Sequence, residues 1–232
     1  MKGALLDAIL EARAARRPIA RLRWLDGGRE ELVSTPFDDS GSAHLGDGLA
    51  EAVVDAIRSD RGVLVSAAEG PVFVHPFNPS IRLAIVGAVH IAQRLAILAR
   101  GLGYEVTLID PRRGFLTEAR FPGVALDHTW PDAALEAFAL DARSAVVALS
   151  HDPKLDEKAL EVALRAPCFY VGALGSQRTQ ERRRDRLREG GLSEEALARI
   201  RGPVGLDLGA KSPAEIALSI AAEIVATLRV RS

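Results

Sequence analysis

Cysteine is nearly missing from this chain of 232 residues: Cys168 stands alone. No intramolecular disulfide can form, which fits a reducing cytoplasm. Net charge is nearly missing too. The 30 Lys and Arg offset 31 Asp and Glu, leaving a formal charge of −1, so whole-molecule charge gives no case for nucleic-acid binding. Long apolar runs are absent. None approaches the roughly 18 residues that a membrane span needs. The N-terminal MKGALLDAILEARAARR is amphipathic and charged throughout, without the apolar core of a signal peptide. Aromatic residues make up 5%, and no segment repeats.

What remains is 48% hydrophobic and 26% charged residues, the balance of a soluble globular protein. The length suffices for one large domain or two small ones. The pattern divides into two modules, residues 1–78 and 79–232. In the first, residues 3–17 read as a helix ended by Pro18. Ile19 to Leu25 alternate as a strand, Asp26-Gly27-Gly28 reads as a hairpin turn, and Glu30 to Ser34 as the return strand. Thr35 to Gly48 reads as a loop and Leu49 to Ile57 as a helix. Val63 to Ser66 and Val72 to His75 read as two further strands, and Pro76 to Pro79 (PFNP) as an extended linker.

The second module is organised around SIRLAIVGAVHIAQRLAILARGLGYEVTLID, Ser80 to Asp110. Leu83 to Val86 is a short apolar run of the kind that forms a buried strand. Gly87 ends it. Ile91, Leu95, Leu98 and Leu102 then follow helical spacing, and Val106 to Ile109 form a second strand that ends in Asp110. A strand, a glycine turn, a helix and a strand with a terminal carboxylate make the opening of a dinucleotide-binding βαβ unit. The fingerprint wants glycine at the first, third and sixth positions; this chain has Gly87, Val89 and Ala92. Alanine at the sixth still lets helix and strand pack closely. Valine at the third would obstruct the approach of a pyrophosphate, so the unit is either a ligand site or a fold kept for its packing.

Downstream, strands are expected at Val124–Leu126, Ala145–Leu149 and Phe169–Val171. Helices are expected at Pro131–Phe138, Leu155–Leu164, up to about Arg188, at Glu194–Ile200 and at Pro213–Leu228. Ser212 and Glu215 form a capping box ahead of the last helix. The class is α/β: a small N-terminal α+β module followed by a parallel-sheet domain. Ligands of such sheets bind beyond the carboxyl ends of the strands. The residues expected there are Gly87, Ala88, Val89 and His90, then Asp110, His151 with Asp152, and the turn Gly172 to Ser176; Asp207 in GLDLG either faces the same crevice or holds its own turn.

Each of these has a bland reading beside the functional one. His90 sits in the first turn of the fingerprint helix, as a phosphate donor or as a polar residue without a role. Asp152 suits a helix cap, with Pro153 at the first helical position, whereas His151 has no such structural reason. Gly175, Ser176 and Arg178 open a helix directly after a strand, an arrangement suited to an anion. The arginines from Arg182 to Arg188, interleaved with acids, read as a solvated helix face. Cys168 reads as a small buried hydrophobe. No cluster has the spacing of a zinc site, and no set of residues stands out as catalytic.

Four segments carry a family likeness. LAIVGAVHIAQRLAILARGLGYEVTLIDPR, SHDPKLD, YVGALGSQRT and GPVGLDLGAKSPAEIALSIAAEIVA follow one another in the order found in XdhC/CoxI proteins, and the second module resembles theirs from about residue 80 to 230. The resemblance implies a Rossmann-like domain. It also implies an accessory protein, not itself an oxidoreductase, that carries the molybdenum cofactor as cargo, as molybdopterin or its dinucleotide. Its partners would be a molybdenum hydroxylase apoenzyme, a sulfurtransferase and a second copy of the chain, in the cytoplasm. The implied contacts are Gly87, Ala88, Val89, His90, Asp110, His151, Gly172, Gly175, Ser176, Arg178 and Asp207. The chain departs from the pattern at Val89, and also at Gly46-Asp47-Gly48-Leu49-Ala50-Glu51, where Leu49 stands in place of a family cysteine. An NAD- or FAD-dependent oxidoreductase on the same fold, and an interaction module that has lost its ligand, are the alternatives.

Overall fold

The computed structural model describes residues 3–35 and 45–230. Most of the loop expected at Thr35–Gly48 therefore lies outside the described residues. Two compact units divide the chain. One runs to Pro79 and takes back the end of the last helix from Arg229; the other is Ser80–Leu228.

The first unit contains α1 (Gly3–Ala14), β1 (Ile19–Trp24), β2 (Glu30–Ser34), α2 (Asp47–Ser59), β3 (Val63–Ala67) and β4 (Gly70–Phe77). The strands form an antiparallel sheet in the order β2-β1-β4-β3. Alternation along β1 turns Ala20, Leu22 and Trp24 to one side. There they form a core with Val72 and Val74 of β4 and with Leu49, Val53 and Ala56 of α2. Leu49 is thus a core residue. Ile19, of opposite parity, packs with Ile9 and Ala12 of α1. The expected linker is shorter than its prolines imply: Pro76 and Phe77 are the last residues of β4, paired with Ala20 and Ile19. The ladder from β4 to β3 ends at Val74, so Pro76 has a strand neighbour on one side only, where a missing N–H is tolerated.

The second unit contains β5 (Arg82–Val86), α3 (His90–Gly101), β6 (Glu105–Ile109), β7 (Ala125–Asp127), α4 (Pro131–Phe138), β8 (Ser144–Ala148), α5 (Pro153–Arg165), β9 (Tyr170–Ala173), α6 (Gln177–Glu189), α7 (Glu194–Ala198), β10 (Ile200–Arg201) and α8 (Pro213–Val230). Its six strands are all parallel, in the order β10-β9-β8-β5-β6-β7. One face of the sheet packs with α3 and α8 through Leu95, Ala99, Ala217 and Ile220. The other packs with α4 and α5 through Leu135, Ala159 and Leu160, joined by Leu187 and Leu197. Every residue of β8 is buried, as a strand covered on both faces must be. The caps form as read: Asp152 accepts from Lys154 N–H at 3.0 Å. Ser212 accepts from Glu215 N–H at 3.2 Å while Glu215 accepts from Ser212 N–H at 2.8 Å. Two readings change. Ile200 is not the end of a helix but half of β10, and Gly172 and Ala173 belong to β9 rather than to the turn after it.

Candidate functional site

Strand order reverses between β5 and β8, since the chain builds outward from β5 to one edge and then from β8 to the other. The carboxyl ends of the two strands beside such a reversal are the usual ligand position in open parallel sheets. Gly87 follows β5 with φ +104°. A side chain there would stand 2.6 Å from the Ser150 nitrogen and 2.7 Å from its Cα. Glycine is therefore required twice over, by its dihedral and by the turn that follows β8. The backbone then folds tightly, with Gly87 N–H donating to the Ile109 carbonyl and Val89 N–H to the Gly87 carbonyl, both at 2.9 Å. Val89 caps α3 in an extended conformation without a side-chain hydrogen bond and packs against the core. His90, at the first helical position, is exposed.

Asp110, expected to meet a ribose diol, is 0% exposed. Its Oδ2 accepts from Ala88 N–H at 2.8 Å and from Arg112 Nη2 at 2.7 Å. Its Oδ1 accepts from Arg112 N–H at 3.0 Å and Arg112 Nε at 2.9 Å. Four bonds use the carboxylate's acceptor capacity, so the expected ribose contact gives way to a bond that ties the β6 end to the Gly87 turn. Burial pushes the Asp110 carboxyl up, but the Arg112 guanidinium and the two N–H groups outweigh it and hold it below the ordinary aspartate range. The same pairing raises Arg112.

A second pair lies beneath the turns after β8 and β9. Asp156, 0% exposed, accepts from the Ser150 hydroxyl at 2.6 Å and Ser150 N–H at 3.1 Å. Its other oxygen faces Arg183 Nη2 at 3.4 Å. Arg183 also donates to Gln180 Oε1 at 2.6 Å and to the Leu174 carbonyl at 3.2 Å, and its Nε has no partner. Gln180 in turn donates to the Ala173 carbonyl at 2.8 Å. Burial pushes Asp156 up, against the Ser150 hydroxyl and Arg183, and pushes Arg183 down, against Asp156. The arginine run is thus a solvated face with one exception. Arg186 pairs with Glu157 and Arg188 with Glu194 at the surface, while Arg183 turns inward. Its phase was readable: Gln180, Arg183 and Leu187 stand at helical spacing. For Arg112 the signal is an arginine two residues after the strand-terminal Asp110.

The remaining expected residues divide. His151 is exposed with φ +61°, a left-handed conformation uncommon for a residue with a side chain. Gly175 has φ +137° and Ser176 caps α6 by accepting from Thr179 N–H at 3.3 Å; Arg178 follows, exposed. Gly172 is buried in β9, where a side chain would collide with Val204 and Tyr170. It makes room for packing rather than lining a turn. Asp207 is exposed in the loop after β10, which is anchored by Gly205 N–H to Glu223 at 2.9 Å and Leu206 N–H to the Ser219 carbonyl at 3.2 Å. Gly87, Ala88, Asp110 and Ser150 thus meet directly, and the Asp156–Arg183 pair joins the turns after β8 and β9. No hydrogen bond or ion pair joins Arg178 or Asp207 to them among the described residues.

Comparison with known proteins settles the ancestry of this sheet. The XdhC Rossmann domain matches residues 83–224, more than half of the chain. The chain belongs to that family. An XdhC relative, the molybdenum cofactor insertion chaperone PaoD of Escherichia coli, is 35% identical over 64% of this chain and 40% of its own length. A probable xanthine dehydrogenase subunit from Bacillus subtilis is 31% identical over 67% of this chain and 45% of its own. The chain thus spans less than half the length of these curated relatives. The crystal structure of a xanthine dehydrogenase from Bacillus halodurans superposes with a TM-score of 0.74, at 25% identity, over 98% of this chain and 67% of that one. No helix among the described residues is long and apolar enough to cross a membrane.

Proposed function

We propose that this XdhC-family chain holds the molybdenum cofactor, as molybdopterin or its dinucleotide, and assists its maturation and insertion into a molybdenum hydroxylase of the xanthine dehydrogenase or carbon monoxide dehydrogenase type. The observation that carries the reading is the meeting of the Gly87 and Ser150 turns at the point where strand order reverses, in a chain 35% identical to a protein named for cofactor insertion. The cargo is anionic. The start of α3, capped without a side-chain acceptor, and the exposed Arg178 at the start of α6 offer it positive potential. In this reading His90 and His151 stand at the crevice mouth and orient the pterin. Cys168 takes no part. It precedes β9, at the amino ends of the strands, and burial first of all pushes its thiol up to about 11, so it supplies no thiolate near neutral pH.

An NAD- or FAD-dependent oxidoreductase finds less support, because the Asp110 carboxylate is fully engaged inside the protein. The chain purified from a host that makes the cofactor, denatured in acid and analysed by fluorescence and mass, should release oxidised pterin at near-stoichiometric yield. R178A should retain several-fold less. Flavin or nicotinamide nucleotide in place of pterin would overturn the proposal.

A further inference from the structure

We propose that Arg112, held by Asp110, is the residue that meets a phosphate of the bound ligand at the switch point. This rests on the cofactor-binding reading and names the side chain that supplies the charge. The turn itself has little to offer an anion: Ala88 N–H is taken by Asp110 and Val89 N–H by the Gly87 carbonyl. The backbone cradle of a glycine-rich fingerprint is therefore closed in this chain until α3 begins.

Arg112 replaces it. Its Nε and Nη2 edge lies on the Asp110 carboxylate, and its Cζ lies over the Phe115 ring, 4.9 Å from the ring centroid. Asp110 also holds Ala88, so the guanidinium is fixed beside the fingerprint turn. Its side chain is 36% exposed, against 0% for Asp110. Nη1 has no partner among the described residues, and the Nη1–Nη2 edge is left for a ligand. A planar fork of this kind suits a phosphate ester or pyrophosphate, and holding it in advance removes the entropy of ordering a long side chain. Asp110 is a positioning residue in this arrangement, and touches no ligand.

The test uses the full chain and inorganic pyrophosphate as probe, titrated by calorimetry at low salt. Wild type should bind. R112Q should bind at least tenfold more weakly, R112K should recover part of the loss, and D110N, which loosens the anchor of the guanidinium, should bind about threefold more weakly than wild type, well short of R112Q. Should R112Q lose its fold through the unpaired Asp110, the double variant D110N/R112Q is read in its place. Absence of pyrophosphate binding by wild type, unchanged affinity in the Arg112 variants, or a loss in D110N as large as in R112Q overturns the proposal. Pterin release from the same preparations separates the two claims. Pterin retained with Arg112-independent pyrophosphate binding sinks only the assignment of Arg112. Arg112-dependent binding in a chain that carries no pterin keeps the phosphate site and sinks the cargo.

Discussion

The two aspartate–arginine pairs of the parallel unit are built from the same chemistry and shifted in opposite directions. In Asp110–Arg112 the acid is held low and the base high, each favouring its partner's charge. In Asp156–Arg183 the acid is pushed up and the base down, because burial outweighs attraction on both sides. The difference is one of solvent. Arg112 keeps a third of its side chain in water and places two bonds on the carboxylate. Arg183 is 3% exposed, leaves its Nε without a partner and meets Asp156 at 3.4 Å. A pair with one wet partner stabilises its loop and leaves an edge for a ligand. A pair sealed on all sides costs desolvation that the hydrogen bonds from Ser150 to Asp156 and from Arg183 to Gln180 must offset, and its return is a fixed geometry for two turns.

Breaking the sealed pair should have the largest effect. R183M leaves Asp156 buried without its cation, and is expected to cost about 3–5 kcal/mol in urea unfolding. The double variant D156L/R183M should recover most of that loss; an additive double would mean that the two side chains do not act as a pair. The wet pair should cost less, about 1–3 kcal/mol for D110N at pH 7. The two also differ in pH dependence. Asp110 is held low, so its contribution is present above the ordinary aspartate value near 4 and is lost as pH falls through its folded value. Asp156 is held high, so its contribution is present at low pH and is lost as pH rises from the ordinary value through its folded one. Unfolding midpoints taken through the acid range should flatten at the acid end in D110N, and D156N should remove a slope of the opposite sign. The smallest effect is expected from F115A. Removing the exposed aromatic under Arg112 should cost about 0.5–1 kcal/mol and leave the unfolding behaviour of the sealed pair unchanged.

The frame of the second unit was legible because burial writes itself into composition. Leu83–Val86 and Ala145–Leu149 are apolar since both faces of their strands are covered; of the spaced Ile91, Leu95, Leu98 and Leu102, however, Leu95 alone is fully buried, beside Ala92, Ala96 and Ala99, and Leu102 is exposed. What was less legible is what only tertiary contact decides. Arg183 sits among arginines that stay in water, and its burial depends on Asp156, 27 residues away. Asp110 occupies the position of a ribose ligand, but its partner Arg112 and the closed Ala88 N–H change what the position can do. β10 has two residues and carries no periodicity of its own. Pro76 looked like a linker because proline usually leaves a strand, and it stays in β4 only because β3 has already ended. Gly172 was read as a turn glycine, when its missing side chain is filled by Val204 and Tyr170.

The lone thiol has a practical consequence. With Cys168 buried and its thiol pushed up to about 11, almost none of it is thiolate at pH 7. Maleimide and iodoacetamide reagents should pass the native protein by. A cysteine introduced at an exposed position outside the proposed site, such as Glu189, would then be the single thiol open to such reagents. A fluorophore or spin label could then be attached there without first removing Cys168.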